Sequence, residues 1–105
     1  MMRVVILYHP KSEHEGIVLD YARDFKRFKG KDLELLSLET IPGANLAALY
    51  DVTIYPAILA VADDGALQRM WLGMPLPLFD ELSYYAHQIE DRVSHSARDL
   101  VPVGA

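Results

Sequence analysis

Ser12, Glu13, His14 and Glu15 stand in a row just after a short apolar run, and together they offer a hydroxyl, two carboxylates and an imidazole. A sulfur nucleophile is absent, because the 105-residue chain contains no cysteine. Thiol–disulfide exchange requires a thiolate that attacks a disulfide sulfur, so no dithiol–disulfide oxidoreductase activity is expected. Ser–His–Asp catalysis has two candidate settings, Ser12 with His14 and Asp64, and Ser94 beside His95. Neither has a G-x-S-x-G elbow or a convincing oxyanion glycine. Imidazole and carboxylate at His9, Glu13 and His14 suit zinc. His9 lies before the helix, however, and the neighbours Glu13 and His14 diverge by about 100° on a helix. No histidine pair, His87 and His95 included, has the i, i+4 spacing of a zinc helix. The histidines read as surface residues, and no metal and no cofactor is expected.

The spacing S-x-x-E also predicts a capping box. The Ser12 hydroxyl would accept from the Glu15 amide while the Glu15 carboxylate reaches back to the Ser12 amide. Each half contributes about 0.5–2 kcal/mol. Glu13 and Glu15 place negative charge at the positive end of the helix that follows, so an anionic ligand there would meet like charge.

Those residues need a scaffold, and composition bounds it. The length is that of one small domain. Hydrophobic residues make up 51%, enough for one continuous core, and charged residues 24%. The net charge of −5 argues against nucleic acid and against an anionic membrane surface. No run approaches the roughly 18–20 apolar residues of a membrane span, and the opening run is too short for a signal-peptide core. A cytoplasmic location is expected.

Arg3 to Tyr8 is apolar on both faces and predicts a central strand. After the break at His9-Pro10-Lys11, a helix is expected to open at Ser12. Ile17, Tyr21, Phe25 and Phe28 form its apolar stripe, widened by Val18 and Ala22, and Gly30 stops it. Asp32 to Ser37 predicts a second strand, parallel to the first, with Leu33 and Leu35 inward. Thr40 to Tyr50 holds a short helix with Pro42 in its first turn and Leu46, Leu49 and Tyr50 toward the core. Ala57 to Ala62 and Ala66 to Leu72 are antiparallel strands joined at Asp63-Asp64-Gly65. Trp71 reads as core, although Met70, Met74 and Leu76 make its surroundings unusually apolar. Leu78, Leu82, Tyr85, Ile89 and Val93 mark a last helix reaching His95, and residues 96–105 read as a frayed tail.

The order β-α-β-α-β-β-α, with Tyr50-Asp51-Val52-Thr53-Ile54-Tyr55-Pro56 before the third strand, then Asp64-Gly65 and Gly73, resembles the thioredoxin superfamily in its glutaredoxin-sized form. The resemblance spans about residues 3–92. It implies a three-layer α/β/α fold of class α/β, one thioredoxin-like domain over residues 1–95, a mixed four-stranded sheet of order 2-1-3-4 and a cis Tyr55–Pro56 bond. It places the family's Cys-x-x-Cys motif on Ser12, Glu13, His14 and Glu15, with Ser12 at the nucleophilic position and Glu15 at the resolving one. Single-cysteine glutaredoxins exist, so a replaced cysteine is another reading of Ser12.

In the resembled family the backbone of the residue before the cis proline pairs with an extended peptide or with glutathione, a form of strand addition that needs no thiol. The expectation is therefore a redox-inactive module that binds a peptide or protein partner in a groove lined by Tyr8, Pro10, Ser12, Tyr55 and Pro56. A homodimer through that groove or through the fourth strand, a sheet edge, is the related possibility. One alternative is a glutathione-using enzyme in which the Ser12 hydroxyl stabilises the glutathione thiolate. Glutathione transferases of that kind carry a glutamate–serine pair where this chain has Trp71-Leu72-Gly73-Met74-Pro75, and a helical second domain that residues 91–105 are too few to form. The other alternative is a structural subunit of a larger complex.

Overall fold

Val4, Val5, Ile6 and Leu7 are buried on both sides of the first strand, β1 (Arg3–Tyr8), so this strand has to lie inside a sheet covered on both faces. The computed structural model describes residues 3–85 and shows how that is done. β1 pairs in parallel with β2 (Glu34–Ser37) and antiparallel with β3 (Ala57–Val61), and β3 pairs antiparallel with β4 (Leu67–Leu72). The strand order is β2-β1-β3-β4, a mixed four-stranded sheet as the sequence leads one to expect. The predicted extension of the last helix to His95, with Ile89 and Val93, and the tail over 96–105 lie outside the described residues.

Side chains alternate to the two faces of the central strands. Val4, Ile6, Ile58 and Ala60 meet Val18, Phe25 and Leu82 on one face. Val5, Leu7, Ala57, Leu59 and Val61 meet Ala47 and Val52 on the other. One layer thus holds α1 (Glu15–Lys29) and α3, which opens at residue 79, and the opposite layer holds α2 (Ile41–Leu49). Burying a Val, Leu, Ile or Phe side chain contributes about 1.5–3 kcal/mol, so the ladder between β1 and β3 is the main source of cohesion.

The apolar stripe of α1 is turned from its expected setting. Val18 and Phe25 are buried, with Tyr21 packed beside them, whereas Ile17 and Phe28 are 47% and 65% exposed. Periodicity admits both settings of the stripe, and packing under Phe79 selects this one: the Phe79 ring lies 5.1 Å from Tyr21 and 5.4 Å from Phe25, edge to face. Gly30 ends α1 at φ 75°, its amide donating to the Lys26 carbonyl, as a left-handed glycine cap does.

Leu49 is a second correction, exposed rather than inward. Ala47 and Gly43 bury the inner face of α2 instead, because that helix lies too close to the end of β2 for a larger side chain. Thr40 caps α2 by accepting from the Gly43 amide. Trp71 is half-buried rather than fully in the core. Its ring stands edge-on to Tyr85, and its indole N–H donates to the Glu81 carboxylate at 3.2 Å. In the β3–β4 turn, Gly65 has φ 88°, the Asp64 carboxylate accepts from the Ala66 amide and the Tyr50 hydroxyl donates to the Gly65 carbonyl. The strands start later and end earlier than expected, at Leu67 and Val61, with a register shift at Ala60/Val61.

Two substitutions test this packing. Alanine is the better helix former than glycine by about 1 kcal/mol, yet a Cβ on Gly43 would overlap the Ser37 carbonyl oxygen, a backbone atom that cannot swing away. Gly43→Ala is therefore expected to destabilise by about 1–3 kcal/mol in urea unfolding, and a gain in stability would contradict the packing described. Tyr21 donates to the Pro77 carbonyl at 2.9 Å, and burial, aided by the charge of Glu81, pushes its phenol far above the ordinary range. A phenol with a raised folded-state value supports the fold fully below about pH 10 and loses that contribution as pH rises toward the folded value. Tyr21→Phe is expected to cost about 1 kcal/mol near neutrality, with the gap from the parent protein narrowing above about pH 10.

Candidate functional site

Leu7 pairs with Ala57 in the antiparallel ladder. The residues that leave β1 must therefore lie beside those that enter β3. His9 stands edge-on to Tyr55 with ring centroids 4.9 Å apart, and this contact joins the β1–α1 loop to the segment before β3. The Tyr55–Pro56 bond is cis, as is Met74–Pro75. Pro56 is buried, and its carbonyl accepts from the Gly73 amide at 2.8 Å, which fixes the end of β4 to the start of β3. Tyr55 is half-buried against the core of the α2 side, and its hydroxyl donates to the Val52 carbonyl at 2.7 Å. Among the described residues, no hydrogen bond engages the Tyr55 amide or carbonyl.

The β1–α1 loop satisfies itself with side chains. The Ser12 hydroxyl donates to the His9 carbonyl at 2.6 Å. The Glu15 carboxylate accepts from the Lys11 amide at 2.9 Å. The His14 Nε2 atom accepts from the His9 amide at 3.1 Å. Lys11, at φ 60°, makes the reversal that lets these three reach back. It is a non-glycine residue in the left-handed region, where a local cost of about 1–3 kcal/mol must be held by such contacts.

This arrangement replaces the expected capping box. The helix starts at Glu15 with His14 as its N-cap, and no side chain caps it. Ser12 acts as a donor to a carbonyl, and Glu15 takes an amide one residue earlier than the box requires. The Glu15 amide donates to the Ser12 backbone carbonyl instead, at 3.3 Å. The S-x-x-E spacing was satisfied, but the left-handed turn at Lys11 moved the partners.

Accepting from an amide requires His14 Nε2 to be unprotonated, so the neutral ring carries its proton on Nδ1. Burial holds His14 below the ordinary histidine range, the charge of His9 adds to the effect, and Glu15 offsets part of it. His9 and His14 rings lie 6.1 Å apart. Among the described residues no group of three or more histidine, aspartate or glutamate side chains is placed to hold a metal. Glu13 is exposed.

Of the groove residues expected, Tyr8 packs its ring on the α1-side core while its carbonyl accepts from the Leu38 amide, and Pro10 is half-buried in the loop. Asp64 sits in the β3–β4 turn, at the end of the sheet where Val61 pairs with Arg3, remote from Ser12 and His14 at the other end of β1. Ser94 and His95 lie outside the described residues. Two residues that the sequence did not single out here shape this junction: His9, whose ring meets Tyr55, and Lys11, which makes the turn. The signal available for both was the His9-Pro10-Lys11 break immediately after β1. Surface hollows lined by Phe28 and Pro77–Asp80, and by Arg3, Leu46 and Tyr50, lie away from this region.

No protein-family model and no curated protein matches the chain. Solved structures do. Thioredoxin O2 from Arabidopsis thaliana in its oxidized state aligns with a TM-score of 0.57 at 10% identity, over 85% of this chain and 75% of that one. Thioredoxin 1 from Thermosipho africanus TCF52B aligns with a TM-score of 0.53 at 14% identity, over 90% and 98%. A structure described as that of a malarial protein aligns with a TM-score of 0.58 at 12% identity, over 84% and 96%. At such identities the likeness shows the fold alone: the chain has a thioredoxin-like fold.

Alanine at Ser12 and at Glu15 separates loop bonding from capping. Each substitution is expected to cost about 0.5–2 kcal/mol in urea unfolding, and the helical carbon shifts of residues 15–18 should stay those of the parent chain. Shortening of α1 from its first turn in both variants would restore the capping box.

Proposed function

We propose that this chain is a redox-inactive thioredoxin-like module that binds an extended segment of a peptide or protein partner across the groove between the β1–α1 loop and Tyr55–Pro56. The observation that carries this reading is the contrast between the two walls. On one, the polar side chains Ser12, His14 and Glu15 are all taken up by loop backbone. On the other, the Tyr55 backbone keeps its donor and acceptor, and Ile54 and Met74 lie exposed nearby, Gly73 sitting close enough to Ile54 that a side chain there would crowd it. A backbone donor–acceptor pair beside apolar side chains suits strand addition, where the main chain supplies affinity and side chains supply selection.

Thiol chemistry has no atom to act through, since the chain contains no cysteine. Glutathione is a poorer occupant than a neutral peptide. Glu13 and Glu15 stand at the positive end of α1, where an anion would otherwise gain from the helix dipole. The hydroxyl proton of Ser12 is directed to the His9 carbonyl and not outward toward a thiolate.

The test is a ¹⁵N NMR titration with apolar peptides of about six residues, roughly the length of a typical strand. Shifts are expected at Tyr55 and in the β1–α1 loop. Methylating alternate peptide amides should weaken binding about tenfold in one register and not in the other, because strand addition uses every second amide. Binding indifferent to methylation in both registers, or centred away from Tyr55, would overturn the proposal. Reduction of insulin disulfides by the chain should not exceed background.

A further inference from the structure

The bond between His9 and His14 does more than close a loop. It can form only while Nε2 of His14 is unprotonated, and it ends on the amide of His9, the residue whose ring stands edge-on to Tyr55. We propose that neutral His14 latches the β1–α1 loop through the His9 amide, and that protonation of His14 releases the loop beside Tyr55, which makes occupancy of the groove dependent on pH. The clause on occupancy rests on the peptide-binding reading above; the latch itself does not.

The geometry gives three reasons. First, a protonated Nε2 would present N–H to the N–H of His9, replacing an acceptor with a second donor, so the 3.1 Å contact cannot survive protonation. Second, neither of the other two side chains in the loop is placed to take the His9 amide in place of His14. Ser12 reaches the His9 carbonyl and Glu15 reaches the Lys11 amide, so both are already committed. Third, His9 connects the latch to the groove, its ring lying 4.9 Å from Tyr55 and 6.1 Å from His14. A change at His14 is therefore transmitted through one residue.

The groups facing His14 decide the direction. His9 and Lys11 lie in the loop before it, Glu13 and Glu15 on its own turn, and Tyr55 stands behind His9 from the segment leading into β3. Glu15 favours the charged ring, but its carboxylate is held by the Lys11 amide, while burial and the neighbouring His9 both favour the neutral one. A histidine whose folded-state value is depressed contributes fully above the unfolded value, about pH 6.5, and its contribution is lost as pH falls through the folded value. The latch is thus shut at neutrality and opens in mild acid, within the range where histidine acts as a switch.

A ¹⁵N NMR titration of the full chain without peptide, from about pH 8 to about pH 4.5, reads the latch. Near neutrality His14 should show the Nδ1–H tautomer. The His9 amide resonance should then move with the His14 midpoint, below about pH 6.5. Two variants separate the histidines. In His9→Gln the amide of residue 9 should still follow His14, whereas in His14→Gln, where a side-chain oxygen can accept without titrating, it should no longer move at that midpoint. An Nε2–H tautomer near neutrality overturns the latch, as does a residue 9 amide that follows the His9 ring instead. Peptide affinity should fall about fivefold through the same window, the factor one such hydrogen bond supplies, and should stay level in His14→Gln. Equal affinity across the window removes the coupling. Failure of every peptide to bind overturns the groove reading and leaves the latch to the titration without peptide.

Discussion

The antiparallel ladder between β1 and β3, buried on both faces, is the constraint from which the rest follows. Its side chains serve two cores at once: Val5 and Leu59 face α2 while Ile6 and Ile58 face α1. A strand of that kind can carry polar side chains only at its ends, here Arg3 and Tyr8. Because the two strands run in opposite directions, the exit of one and the entrance of the other coincide. The β1–α1 loop and Tyr55–Pro56 are neighbours for that reason, whatever residues occupy them.

At that junction the two segments treat their backbone differently: among the described residues the Tyr55 amide and carbonyl are left open, whereas the exposed loop main chain is bonded locally. Here the loop is supplied by its own side chains. Ser12, His14 and Glu15 each take one main-chain group of His9 or Lys11. Residues that by type could attack, protonate or ligate are spent on holding a turn at Lys11. The same commitment gives the site its one adjustable part, because a histidine acceptor is the only one of the three ties that alters its proton count near neutrality.

Much of the fold was legible in the sequence. Val4 to Leu7 could hardly be anything but an interior strand, Asp64-Gly65 marked the β3–β4 turn, and Gly30 marked the end of α1. What periodicity could not decide was rotation. Ile17 and Phe28 lie at helical spacing as good as that of Val18 and Phe25, and only packing against the sheet and α3 distinguishes them. Leu49 was misread in the same way, because the small residues Gly43 and Ala47 set how closely α2 approaches the sheet. At the site, S-x-x-E specifies two residues that can reach backbone amides, not which amides they reach. The partners depend on the φ of Lys11, a lysine in a conformation its type does not favour. For His9 the break at His9-Pro10-Lys11 marked a loop after β1 but not the Tyr55 ring that His9 would meet across it.

The central claim is that the side chains of Ser12, His14 and Glu15 serve the backbone of the β1–α1 loop. Its most direct test is a trans-hydrogen-bond ¹⁵N–¹⁵N coupling measured at neutral pH between the His9 amide and Nε2 of His14. A resolved coupling is the expected result. A His14 ring protonated at Nε2, with no coupling to the His9 amide, would contradict the account.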